Sequence, residues 1–181
     1  MSDYDFYNLD ELEQIAVNLF HGWGYNFYRL ENQLRSDDLT VRAKVGWLLG
    51  LARASVERAE SVYRRERLPA ATREKPRPDA EAVAGAMSLE RLSKEIGALE
   101  GRIRAQPAPE NDRMTQRYRH EAATLQHLLG CDIGLAGRAE MLRVMLDQKD
   151  GAWMIENSAQ IEAGLRSIEA ALQDRQMALV S

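Results

Sequence analysis

Residues 69–78 read Pro69-Ala70-Ala71-Thr72-Arg73-Glu74-Lys75-Pro76-Arg77-Pro78, and this stretch decides the fold. It holds three of the chain's five prolines; the other two, Pro107 and Pro109, lie in a second short stretch. A proline inside a helix costs about 3 kcal/mol, because it removes a backbone donor and its ring clashes with the preceding turn. Confining all five to linkers near 69–78 and 106–110 leaves proline-free blocks at 1–68, 79–106 and 110–181. Each block carries apolar residues at helical spacing. The expectation is an all-α protein, an antiparallel bundle of about five long helices forming a single domain over residues 1–181.

Upstream of the linker, Ser36, Asp37 and Asp38 supply N-cap chemistry for a helix reaching about residue 68. Its stripe is Val41, Val45, Leu48, Ala52, Val56, Ala59 and Tyr63. Trp47 and Leu51 form a second strip beside it, so the helix is expected to be buried on two flanks. Before it, Leu12, Ala16, Leu19, Trp23, Leu30 and Leu34 set a helix over about 10–35 that continues through Gly22 and Gly24. A tight turn would join these two helices as an antiparallel hairpin.

Downstream, Asp79 caps a helix to about residue 105, with a narrow seam of Leu89, Leu92, Ile96, Leu99 and Ile103. Asn111 or Asp112 caps the next, whose apolar phase runs from Met114 through Leu135 and Leu142 to Leu146. That pattern spans 112–149, with Gly130, Gly134 and Gly137 in its middle as points where it can bend. Gly151 breaks the chain before a last helix at about 152–178, striped by Met154, Ile161, Leu165, Ile168 and Leu172. Small residues recur four apart, as in Gly46, Gly50 and Ala54 and in Gly97, Gly101 and Ala105. Such rows read as seams where helix axes approach closely.

Composition bounds the function classes. The net charge is −4, which does not suit a general nucleic-acid binder. The single cysteine, Cys131, cannot form an internal disulfide, which fits a reducing cytoplasmic setting. The acidic N-terminus lacks a basic segment leading an apolar run, so no secretory signal is expected. The longest uncharged run, 14–28, is too short and too polar to span a bilayer.

Candidate chemistry is sparse. His120, Thr124, His127 and Cys131 share a helix face, but His120 and His127 are separated by about 10 Å along the axis, too far for one ion. The best metal candidates are His127 and Cys131, one turn apart, which would need ligands from another helix. No metal or cofactor is expected. The His120-Glu121 pair begins a zinc-protease motif, but Thr124 stands where its second histidine belongs. Phosphate-loop, dinucleotide and nucleophile-elbow patterns are absent, so no catalytic residue is assigned. Glu121 and Asp132 fall in phase with an apolar stripe and are expected to be paired with arginine or exposed at its edge.

Eight of the twelve aromatic residues lie within the first 28 positions. Phe20, Trp23, Tyr25, Phe27 and Tyr28, with Trp47, are the candidate residues for binding a partner or a ligand. The ordinary alternative is that they plug one end of the bundle. The run 64–77 holds six basic residues against two glutamates and reads first as a solvated helix end. The leading expectation is a non-enzymatic interaction or accessory protein, acting through a protein partner or self-association. A small-ligand or cofactor binder is the alternative, and a nucleic-acid-linked regulator the third reading.

Overall fold

Ring chemistry places the helix boundaries where the sequence indicates. In the computed structural model, which describes residues 5–21, 34–73, 76–106 and 122–180, Pro69, Pro76 and Pro78 all lie outside helices. Pro107 and Pro109 lie outside the described residues. The described residues form six helices and no strand: α1 Leu9–His21, α2 Leu34–Arg67, α3 Ala80–Arg104, α4 Ala122–Leu146, α5 Gly151–Glu156 and α6 Ser158–Val180. The fold is an all-α bundle.

Local hydrogen bonds explain several of the ends. Asn8 accepts from the Glu11 amide at 3.4 Å ahead of α1. Asp79 accepts from the Glu81 amide at 3.2 Å and caps α3, as its position after Pro78 predicts. At the other end of the linker, α2 finishes in Arg64, Arg65 and Arg67, which complement the negative end of its dipole.

Three boundaries differ from the sequence reading. α2 already begins at Leu34, so Ser36, Asp37 and Asp38 lie inside the helix instead of capping it. Gly151 does not break the chain. The reversal comes at Gln148, whose φ of 55° is left-handed, and Asp150 then caps α5 by accepting from the Trp153 amide at 2.8 Å. Gly151 is the first residue of α5, and the position is tight: a Cβ there would stand 2.9 Å from both Leu89 Cδ1 and Tyr63 Cβ. The final helical stretch is also cut at Asn157. Its side-chain amide donates to the Trp153 carbonyl at 2.8 Å, and its own carbonyl accepts from Gln160 and Ile161 to start α6. α4 runs unbroken through Gly130, Gly134 and Gly137; positions 107–121 lie outside the described residues.

The hairpin partner of α2 is α3. Moving up α2 and down α3, Gly46 meets the Arg104 side chain and Arg53 lies against Gly97. Glu57 then accepts from Ser93 at 3.1 Å, and Arg64 pairs with Glu90 at 2.9 Å. The small residues at Gly46 and Gly97 therefore receive long arginine stems at the edges of the α2/α3 seam. The tight turn expected between the first two helices at about 35–38 is not there, since residues 34–38 already belong to α2; 22–33 lie outside the described residues, and the described part of α1 packs on α4. α4 is the hub, in contact with α1, α2 and α6, while α5 fills the end between α2 and α3.

The core is the set of in-phase residues. Leu12, Val45, Leu48, Ile96, Ile103, Leu135, Leu142, Ile161 and Ile168 are all fully buried. Burial of each large side chain contributes about 1.5–3 kcal/mol relative to exposure. Phe6, ahead of α1, is also buried, and its ring lies on the surface left open by Gly164 of α6.

Candidate functional site on α2 and α4

The second strip of α2 is not buried. Trp47 is 48% exposed and Leu51, one turn later, is 37% exposed. The position one turn before Trp47 goes inward instead: Lys44 is only 2% exposed. A lysine can occupy such a site because its four-carbon stem is apolar and only its tip needs a polar neighbour. Lys44 Nζ lies 4.1 Å from the centroid of the Trp47 ring, within cation–π range. The indole thus covers the ammonium and keeps about half of its own surface in solvent.

α4 supplies the neighbouring charges. Arg143 grips Glu140 with two parallel hydrogen bonds, Nε at 2.7 Å and Nη2 at 2.8 Å. Bidentate pairing of this kind is geometrically specific and strong for its class. Desolvation pushes the Lys44 amine below its ordinary value, Glu140 works against that shift, and Arg143 reinforces it. Since Glu140 is already engaged by Arg143, burial dominates.

Most of the other sequence candidates lie outside what the structure describes. Phe20 belongs to α1, but its side chain is outside the described set, and Trp23, Tyr25, Phe27 and Tyr28 lie outside the described residues. His127 belongs to α4, with its side chain likewise outside the described set. Cys131, one turn on, is half-buried. Burial pushes its thiol up, and the nearby Asp132 and Asp174 add to the shift, against opposition from Arg175 and Arg138. Among the described residues no three His, Cys, Asp or Glu side chains converge as metal ligands.

Asp132 is paired, as its in-phase position predicts. Arg175 of α6 reaches it at 2.5 Å, with side-chain exposures of 4% for the arginine and 15% for the aspartate. Glu121 lies outside the described residues. Arg138 lies over Gly134, which has no side chain to obstruct the guanidinium. In the basic run, Arg64 is committed to Glu60 and Glu90, so part of that charge is neutralised within the protein.

Sequence reading missed Arg42, Lys44 and Arg175, all nearly fully buried. The signal was helix phase. Lys44 lies three residues after Val41 and four before Leu48, and Arg175 lies seven after Ile168. A basic residue in phase with a core stripe must be buried or must bend its stem out to water; the pattern alone does not distinguish these outcomes.

Comparison with known proteins adds no constraint: no family model matches the chain, and neither a curated protein nor a solved structure matches it significantly.

Proposed function

We propose that this chain is a non-enzymatic interaction protein that engages a protein partner, or a second copy of itself, through the outer flank of α2. The observation that carries the reading is Trp47, held against Lys44 on one side and 48% exposed, with Leu51 beside it. Tryptophan dominates binding hot spots because it supplies a large rigid surface at little entropic cost. An indole already fixed by a neighbouring cation loses less freedom on docking than a mobile one. The exposed flank belongs to the longest helix among the described residues, of 34 residues, whose other face is core. No described helix is long and apolar enough to cross a membrane.

The proposal places the protein in the cytoplasm, supported by its lone cysteine. It gives no role to nucleic acid, since the net charge is −4 and Arg64 is internally paired. The test is site-specific photo-crosslinking from position 51 in cells producing the full chain, with and without Trp47→Ala. One discrete adduct that disappears in the variant is expected. Absence of any adduct, together with a monomeric mass by light scattering, would sink the proposal.

A further inference from the structure

The last turn of α3, the residues just after it and α6 line an open groove of about 280 Å³ that involves neither Trp47 nor Leu51. Drug-sized ligands occupy pockets of about 300–1,000 Å³, so this one suits a smaller molecule. Its polar wall consists of Arg102 from the last turn of α3, Gln106 two residues past the end of that helix, and Glu169, Gln173 and Gln176 from α6. Leu172 provides an apolar contact.

Two features make this a shaped recess. The first is anchoring from beneath: Arg42 of α2, only 5% exposed, donates through Nη1 to the Gln106 carbonyl at 2.5 Å. The backbone that carries the Gln106 side chain is therefore held by a buried cation. The second is an unmet donor, since Gln106 Nε2 is buried without a hydrogen-bond acceptor among the described residues. Leaving such a donor unsatisfied is costly, and native structures rarely do so without a reason. Rotation about the terminal sp³–sp² torsion is soft, so the carboxamide can turn its donor toward the groove.

The charges select the ligand. Arg102 and Glu169 form an ion pair along the wall and are 57% and 37% exposed, so each retains hydrogen-bonding capacity toward the groove. A simple anion would meet Glu169 as well as Arg102, and a simple cation would meet the reverse. A molecule carrying both charges satisfies both residues. We infer that the groove binds a small zwitterion of the free α-amino-acid class, its carboxylate accepting from Arg102 and Gln106 and its ammonium donating to Glu169. The glutamines of α6 then have acceptors and donors for a polar substituent on the same ligand.

The test is titration of the full-length, ¹⁵N-labelled protein with glycine, alanine and glutamine, with acetate and methylamine as single-charge controls. Saturable shifts of the arginine Nε–H and glutamine side-chain signals are expected, with a dissociation constant on the order of 1 mM or tighter for at least one amino acid. Acetate and methylamine should bind about tenfold or more weakly, as should the amino acid in Glu169→Gln and in Gln106→Ala. Both substituted positions lie at the groove rather than in the core, and helical content by circular dichroism verifies folding. The inference is overturned if no amino acid gives saturable shifts at about ten times that concentration. It is also overturned if acetate binds as tightly as the amino acids, or if neither substitution weakens binding.

Discussion

The carbonyl oxygen of Leu12 stands 2.6 Å from the point that a Cβ on Gly137 would occupy. α1 therefore crosses α4 backbone to backbone, at a distance that only glycine permits. Gly137→Ala must push α1 away, because the obstructing atom is main chain and cannot rotate aside. The expected cost is about 1–3 kcal/mol of overpacking, which outweighs the gain in helix propensity of about 1 kcal/mol. Gly101 is the control: nothing stands within 4 Å of its Cβ position. Gly101→Ala should stabilise by about 0.5–1 kcal/mol. Urea unfolding midpoints should move in opposite directions; movement in the same direction would contradict the close crossing.

The Asp132–Arg175 pair should be far more costly to halve than to remove. With 4% and 15% side-chain exposure, little water reaches the pair to replace a lost partner. Arg175→Met leaves a buried carboxylate and should destabilise by about 3–5 kcal/mol. The double substitution Asp132→Leu with Arg175→Met removes both charges and should recover most of that loss. Denaturant unfolding of the four species gives the coupling directly, and a double variant as unstable as Arg175→Met alone would refute the account.

Lys44 predicts a pH dependence with a definite sign. Its amine lies below the ordinary value of 10.5 in the folded protein, chiefly through desolvation, and returns to that value on unfolding. Within this window the unfolded chain binds more protons, so folding stability rises with pH. The penalty is present in full below the lowered folded value and is relieved as pH climbs toward 10.5. Lys44→Met removes the titration and should be as stable as the wild type or more so at pH 7, by up to about 1 kcal/mol. The advantage should shrink as pH is raised from 7 to 10. A difference that stays flat, or grows, would show that Lys44 is not desolvated.

The helices were legible because period and proline act locally. The seam from Leu89 to Ile103 and the Asp79 cap required no tertiary information, and both are present. Trp47 and Leu51 were legible as a strip, but not as an exposed one. Which of two flanks is covered depends on the helix that arrives there, and Lys44 with α4 settled it the other way. The break at Gln148 left no mark, since nothing in a glutamine announces a left-handed backbone, whereas the glycine three residues later drew attention for what proved a packing reason. Asp132 stood out as a charge in phase with a stripe; its partner on α6 did so equally once its phase is counted. The groove at Gln106 was invisible, because its walls belong to helices whose relative placement no short-range pattern specifies.

Cys131 should be a slow thiol whose rate reports the charges around it. Burial and the carboxylates of Asp132 and Asp174 hold its pKa above the ordinary 9.0, while Arg175 and Arg138 pull the other way. The thiolate is the reactive form, and each unit of pKa changes its population about tenfold at fixed pH below that value. Reaction with an aromatic disulfide at pH 8 should therefore be slower in the folded protein than in the denatured chain, by about tenfold once hindrance adds to ionisation. Asp174→Asn removes an opposing anion and should accelerate the folded-state reaction. Arg138→Gln removes a supporting cation and should slow it. Because Asp174 is exposed and its substitution leaves the core intact, its effect separates charge from accessibility. Opposite responses to the two substitutions would place the thiol in the field of both helices, whereas equal rates in folded and denatured protein would refute its burial.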